Sequence, residues 1–108
     1  MTWKIYFTKD AKQDLQNLYD YLYFSSLEPE VAKRQSKRIM DAADSLGHMP
    51  LRHRLYAKEP WHAKGLRFLP VDHYLIFYLP VESKNIVAII RIMYSGRDIE
   101  NQLNHAKE

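Results

Sequence analysis

The sequence has no cysteine, only three glycines and no long apolar run. The absence of cysteine excludes disulfide bonds, thiolate chemistry and any zinc site with cysteine ligands. So few glycines exclude a glycine-rich phosphate loop, and with it nucleotide-dependent enzymes of the P-loop or Rossmann type. No segment approaches the roughly 18 apolar residues of a membrane span, and the N-terminus has no secretory signal pattern. We therefore expect a cytoplasmic protein without membrane contact.

The histidines are scattered and do not indicate a metal site. None of the five lies four residues from another, and no HExxH motif is present: His48, His53, His62, His73, His105. No Ser–His–Asp arrangement is evident from the sequence either. We expect neither a metal nor another cofactor.

The length and the net charge of the chain indicate a single basic domain. A chain of 108 residues is a single domain, residues 1–108. Its net charge is +3 with a pI near 9.1, and the excess lies in the second half. Between His48 and Val71, Glu59 is the only acidic residue, against five basic ones: Arg52, Arg54, Lys58, Lys64, Arg67. Such a segment attracts phosphate backbones or an acidic protein, and it is equally compatible with a solvated loop.

The periodicity predicts the element order β-α-α-β-β-β-α. Residues 2–7 alternate as in a strand with one buried face, and Thr8 is suited to cap a helix over Lys9–Phe24. Pro29 suits the first turn of a second helix, and Gly47 suits its C-terminal end. Residues 48–64 lack a clear period. Three strands and a short helix follow: 65–71, 73–81, 85–94 and 98–106.

Arginine and tyrosine side chains on the last strands are the candidate chemical groups. Arg91 interrupts the apolar run Ile86–Ile92, Arg67 interrupts an earlier strand, and Tyr94 and Arg97 follow the last strand. We expect neighbouring strands to bring the four together. RNA self-cleavage requires a base, neutralisation of the phosphorane charge and an acid, roles that these residue types can fill. The alternative is that Arg91 and Arg97 pair with Asp72 or Asp98 and that Tyr94 packs.

Two segments resemble the RelE/ParE toxins of bacterial type II toxin–antitoxin systems. IYFTKDAKQDLQNLYDYL is similar to their strand-then-helix start, and GLRFLPVDHYLIFYLPVESKNIVAIIRIMYSGRDI to their C-terminal half. The resemblance implies an α+β fold, with a helical hairpin on a twisted, mainly antiparallel four-stranded sheet. It also implies an acidic antitoxin as partner.

The resemblance leaves the target open. RelE-like members cleave mRNA on the ribosome without a metal, which would assign catalytic roles to Arg67, Arg91, Tyr94 and Arg97. RNA contacts would then come from the loop: Arg52, Arg54, Lys58, Lys64. ParE-like members inhibit DNA gyrase instead, and a non-toxic antitoxin-binding domain is a third possibility. Met93 and Leu75 stand where YoeB-like nucleases have a histidine and an arginine. Our sequence-based prediction is the mRNA endonuclease, with the gyrase inhibitor as alternative.

Overall fold

The computed structural model describes residues 2–26, 28–96 and 98–105. Its strands are β1 (Lys4–Phe7), β2 (Arg67–Val71), β3 (Tyr74–Val81) and β4 (Ile86–Tyr94). Its helices are α1 (Lys9–Ser26), α2 (Pro29–Ser45), α3 (Trp61–Lys64) and α4 (Ile99–Asn104). Within these ranges, no helix combines the length and the apolar character needed to span a lipid bilayer.

The four strands form one sheet in the order β1-β4-β3-β2. β1 is parallel to β4, whereas the β3–β4 and β2–β3 pairs are antiparallel. The mainly antiparallel sheet is therefore confirmed, and the predicted element order holds except for the short helix α3, which was not predicted. β4 is central because its apolar residues are covered on both faces, and Val87, Ile89 and Ile90 are fully buried.

The helical hairpin covers one face of this sheet. Thr8 caps α1 as predicted, since its hydroxyl accepts from the Ala11 N–H at 3.1 Å. Ile39 and Ala43 of α2 pack on Val87, Ile89 and other residues of the same face. The opposite face forms a second apolar cluster, which the 56–66 segment and α4 cover: Trp61, Leu66, Phe77, Ile90, Met93, Leu103. Both faces are thus buried, although only one carries the hairpin.

The segment predicted to be irregular, residues 48–64, is more ordered than its sequence indicates. It contains a 3₁₀ turn at Pro50–Arg52 and the short helix α3. The Tyr56 N–H donates to the Leu66 carbonyl, and the Phe68 N–H donates to the Arg54 carbonyl. These bonds cover the outer edge of β2, which would otherwise present unpaired backbone groups. Pairing between a loop and a distant strand has no local sequence pattern, so periodicity did not predict it.

Gly47 lies just after α2, as predicted, but for a different physical reason. The left-handed conformation that favours glycine there belongs instead to Met49, with φ of 49°. A Cβ on Gly47 would sit 3.0 Å from the Trp3 carbonyl oxygen, and the Trp3 N–H donates to the Gly47 carbonyl at 2.8 Å. Glycine therefore favours the close approach of the Trp3 backbone, just before β1.

Tyr78 makes the fold sensitive to alkaline pH. Its hydroxyl donates to the Pro50 carbonyl at 2.6 Å, and burial raises the pKa of Tyr78 to about 12. An unfolded tyrosine loses its proton near pH 10. Between these values the unfolded chain binds fewer protons than the folded one, so the free energy of unfolding falls as pH rises. We expect a loss of about 1–3 kcal/mol between pH 10 and pH 12.

The Tyr78→Phe variant tests this expectation by urea unfolding at pH 9 and pH 11. It should lose about 1 kcal/mol at pH 9, because the Pro50 carbonyl loses its donor, and its stability should then fall less steeply with pH. The Tyr21→Phe variant is the control, because Tyr21 is 69% exposed. An identical pH dependence in Tyr78→Phe and wild type would contradict the assignment.

Candidate functional site

Arg91, a predicted catalytic residue, is held in a largely buried ion pair. Its Nε donates to Asp14 Oδ2 at 2.6 Å and its Nη2 to Asp14 Oδ1 at 2.8 Å. The side chains of Arg91 and Asp14 are only 12% and 10% exposed. The remaining Nη1 donates to the Gln102 carbonyl of α4 at 3.2 Å, and the bond to Asp14 raises the pKa of Arg91. The expected alternative of pairing with Asp72 or Asp98 is wrong for Arg91, since its partner is Asp14.

Asp14 also completes the edge of β4. The β1–β4 pairing ends at Phe7 and Ile89, so β4 has no strand neighbour on this side from Ile90 onward. The Thr8 hydroxyl donates to the Ile90 carbonyl at 3.1 Å, and the Ile92 N–H donates to Asp14 Oδ2 at 2.9 Å. Two side chains therefore take over the backbone bonds of the missing strand.

Arg67 is held by the loop that runs beside β2. Its Nη1 donates to the His53 carbonyl at 2.6 Å. Its Nε is buried and finds no hydrogen-bond partner among the described residues. Arg67 is half-buried and lies opposite Tyr78 in the sheet.

The strand register does not bring the predicted residues together. Residues directly opposite on neighbouring strands share a face of the sheet. Arg67 is opposite Tyr78, whereas Arg91 is opposite Phe77, so the two arginines leave the sheet on opposite faces.

Tyr94 does not join either arginine: Arg91 is opposite Phe77, three residues from Tyr74, and so lies on the other face of the sheet from Tyr94. Tyr94 is opposite Tyr74, four residues from Tyr78 along β3 and hence ~13 Å away along the strand. Arg97 lies outside the described residues. The expectation that these side chains converge is thus wrong for the three described members, whereas their catalytic roles stay a prediction.

Tyr94 stands beside an aromatic groove. Its side chain is 51% exposed, and its ring meets the Tyr74 ring edge-on at 5.9 Å between centroids. The groove, about 570 Å³, lies between α1 and the ends of β3 and β4: Asp14, Asn17, Leu18, Tyr21, Tyr74, Ile92, Tyr94. Burial is the main cause that raises the pKa of Tyr74. Met93, at the position of the YoeB-like histidine, is buried in the other face of the sheet.

The four basic residues predicted to bind RNA divide into two groups. Lys58 pairs with Glu100 of α4 at 3.1 Å, and Lys64 Nζ lies 4.7 Å from the centre of the Trp61 ring. Arg52 and Arg54 lie instead at the outer edge of β2. Arg52 donates through Nη1 to the His48 carbonyl, and exposed Arg54 forms no ion pair with any described residue.

Arg52 and Arg54 line a cavity that we call the β2-edge notch. The notch measures about 460 Å³ and is lined by Arg52, His53, Arg54, Phe68 and Pro70. Burial, with the neighbouring charges of Arg52 and Arg67, lowers the pKa of His53 and favours its neutral form. His53 and Phe68 were not among the predicted site residues. The spacing Arg52-His53-Arg54 was visible in the sequence, but its meeting with Phe68 depends on the loop–strand pairing.

Metal binding has no support in the described ranges. Across residues 2–26, 28–96 and 98–105, no three histidine, aspartate or glutamate side chains form a group that could hold a metal ion.

Comparison with known proteins gives one family and one fold. A family model described as "ParE toxin of type II toxin-antitoxin system, parDE" matches residues 5–99. No curated protein matches the sequence. Among solved structures, the chain is similar to one from the chromosomal ParDE toxin–antitoxin system of P. aeruginosa. That match has a TM-score of 0.70 and 22% identity, covering 86% of this chain and 96% of the other.

Two further matches have the same fold. One is from the toxin–antitoxin complex RelBE2 of Mycobacterium tuberculosis, with a TM-score of 0.63, 20% identity and coverage of 87% and 92%. The other is from the archaeal RelE–RelB complex of Pyrococcus horikoshii, with a TM-score of 0.61, 16% identity and coverage of 90% and 99%. In each case the similarity extends over nearly the whole chain.

We expect the Asp14–Arg91 pair to contribute to the stability of the fold. Asp14→Asn should leave Arg91 buried without a counter-charge and should lower the free energy of unfolding by about 3–5 kcal/mol. The double variant Asp14→Leu with Arg91→Met should regain only part of that loss, because neither charge remains to be desolvated but the Ile92 N–H loses its acceptor, which costs about 1–3 kcal/mol.

Urea unfolding of the single and double variants measures the effect. Asp20→Asn is the matched control on the same helix, since Asp20 is exposed and accepts only from Gln16 in the described contacts. It should change stability by no more than about 0.5 kcal/mol. A loss below about 1 kcal/mol in Asp14→Asn would mean that the pair is not a major constraint.

Proposed function

Because the chain belongs to the ParE toxin family of type II toxin–antitoxin systems, within the RelE/ParE superfamily, we propose that it arrests growth by binding DNA gyrase, without cleaving RNA. The family resemblance names gyrase as the target of ParE-like members. The observation that carries the proposal is the Asp14–Arg91 pair, which occupies the guanidinium predicted to neutralise a phosphorane.

The separation of the remaining candidates supports the same proposal. General acid–base catalysis requires groups within hydrogen-bond reach of one substrate. Arg67 and Tyr94 are ~13 Å apart along the sheet, and Met93 offers no titratable group beside Tyr94. Inhibition by binding needs only a complementary surface, and exposed aromatic side chains such as Tyr21 and Phe24, 69% and 73% exposed, are typical of such surfaces.

Neutralisation by an antitoxin is the second part of the proposal. The solved structures that this chain resembles include a toxin–antitoxin complex and a RelE–RelB complex. An acidic antitoxin would match the net charge of +3 of this chain, and it would lower the growth arrest when produced together with it. A short acidic open reading frame beside the gene would support this pairing.

Ribosome-dependent mRNA cleavage is the second candidate, and one observation favours it. Tyr94 is 51% exposed at the end of β4, where the family resemblance places a terminal tyrosine in YoeB-like nucleases. A non-toxic domain that only binds an antitoxin is the third candidate, and expression without growth arrest would identify it.

Tyr94→Phe separates the two toxic mechanisms. The variant removes only the hydroxyl, so a gyrase inhibitor should keep its activity within about threefold. An RNase that uses Tyr94 in proton transfer should lose about 10²–10⁴-fold in cleavage rate. Three measurements distinguish these outcomes: growth arrest after induction, inhibition of gyrase supercoiling, and mapped mRNA breaks in a translating extract.

The gyrase proposal makes a definite prediction for wild type. Supercoiling should fall with increasing toxin, and DNA-damage induction should precede any loss of translation in cells. Ribosome-dependent mRNA breaks that disappear in Tyr94→Phe, with gyrase unaffected, would overturn the proposal in favour of the nuclease.

A further inference from the structure

The β2-edge notch combines a cavity with cationic and aromatic side chains. Its volume, about 460 Å³, lies in the range of small-molecule pockets. It opens where the loop that pairs with β2 through Arg54 and Tyr56 leaves the strand. Phe68 and Pro70 form one wall, and Arg52, His53 and Arg54 form the other.

Its electrostatics select an anionic ligand. None of the described lining residues is acidic. The Arg67 guanidinium lies next to the notch, because its Nη1 donates to the His53 carbonyl. In the described contacts Arg52 donates only through Nη1, and Arg54 makes no ion pair. Guanidinium groups that are left accessible bind phosphate through two parallel N–H donors.

The apolar wall further limits the class of ligand that fits the notch. Phe68 is half-buried, with one side of its ring against Phe77 at 6.0 Å between centroids. An aromatic ring beside cationic side chains is the arrangement that binds single-stranded nucleic acid, where bases stack on rings while phosphates meet the cations. A duplex presents its phosphates but keeps its bases stacked within the helix.

We propose that the β2-edge notch binds one nucleotide unit of a single-stranded nucleic acid, with a backbone phosphate between Arg52 and Arg54 and the base against Phe68. His53 lies between these arginines in the sequence and in the lining of the notch, and its Nε2 is buried without a hydrogen-bond partner among the described residues. This binding needs no bond cleavage and no gyrase, so it goes beyond the proposed function. RNA and DNA share the required phosphate and base.

Fluorescence anisotropy of the purified full chain tests the proposal. The probes are labelled 12-residue RNA and single-stranded DNA of one sequence, and the matching DNA duplex, at 50 and 200 mM salt. Wild type should bind the single strands more tightly than the duplex. Its affinity for all three probes should fall as the salt concentration rises. Preference for RNA or for DNA would identify the natural source of the nucleotide.

Two variants test the contributions of the two walls to binding, one variant for each wall. Arg54→Glu, at an exposed position, should weaken single-strand binding at least 10-fold and reduce its salt dependence. Phe68→Leu should weaken single-strand binding about 10-fold with little effect on the duplex, and thermal unfolding checks that its core is intact. Lys33→Glu on α2 is the matched charge control and should bind as wild type.

Several results would overturn the inference. They are the absence of single-strand binding at 50 mM salt, wild-type binding by Arg54→Glu, or equal binding of duplex and single strand that Phe68→Leu does not change. Binding of a hexaglutamate peptide that depends on Arg54, without oligonucleotide binding, would assign the notch to an acidic protein instead. Because gyrase is absent from the assay, these outcomes are independent of the gyrase proposal.

Discussion

The buried pair between Asp14 and Arg91 is the constraint on which the rest of the structure depends. It joins α1 to β4 and, through the Gln102 carbonyl, joins both to α4. Two charges with about a tenth of their surface exposed are tolerated only when each is paired and hydrogen-bonded. Asp14 meets this condition by accepting from both the guanidinium and the Ile92 N–H. The pair therefore fixes the hairpin, the central strand and the last helix relative to one another.

This constraint follows from the shortness of β1. β1 ends opposite Ile89, which leaves the second half of β4 without a neighbour. At that point the β3–β4 register shifts, so that Ile90 has no partner on β3. Such a bulge bends the strand and redirects the residues beside it. Arg91 is placed next to the open edge, where Asp14 on α1 meets it.

Much of the fold could be predicted because it depends on local patterns. The alternation in residues 2–7, the cap at Thr8 and the apolar β4 gave the correct element order. The site could not be predicted to the same degree, because Arg67 and Arg91 change faces with one residue of register. No local pattern encodes the bulge at Ile90, nor the pairing of Arg54 with Phe68 that creates the notch. The length of a loop and the end of a strand decide these contacts, and both depend on the packed whole.

The same constraint bears on how one fold can carry different toxic activities. In this chain Asp14 binds the arginine of the central strand, so moving its charge onto a reacting phosphate would first require that pair to break. The candidate recognition groups lie at the two ends of the sheet: Tyr94 and its groove at one end, Arg52 and Arg54 at the other. The two surfaces that we propose are therefore separate from each other and from the Asp14–Arg91 pair. Binding two partners, or two parts of one assembly, is what such an arrangement favours, because neither surface needs the other to be preorganised.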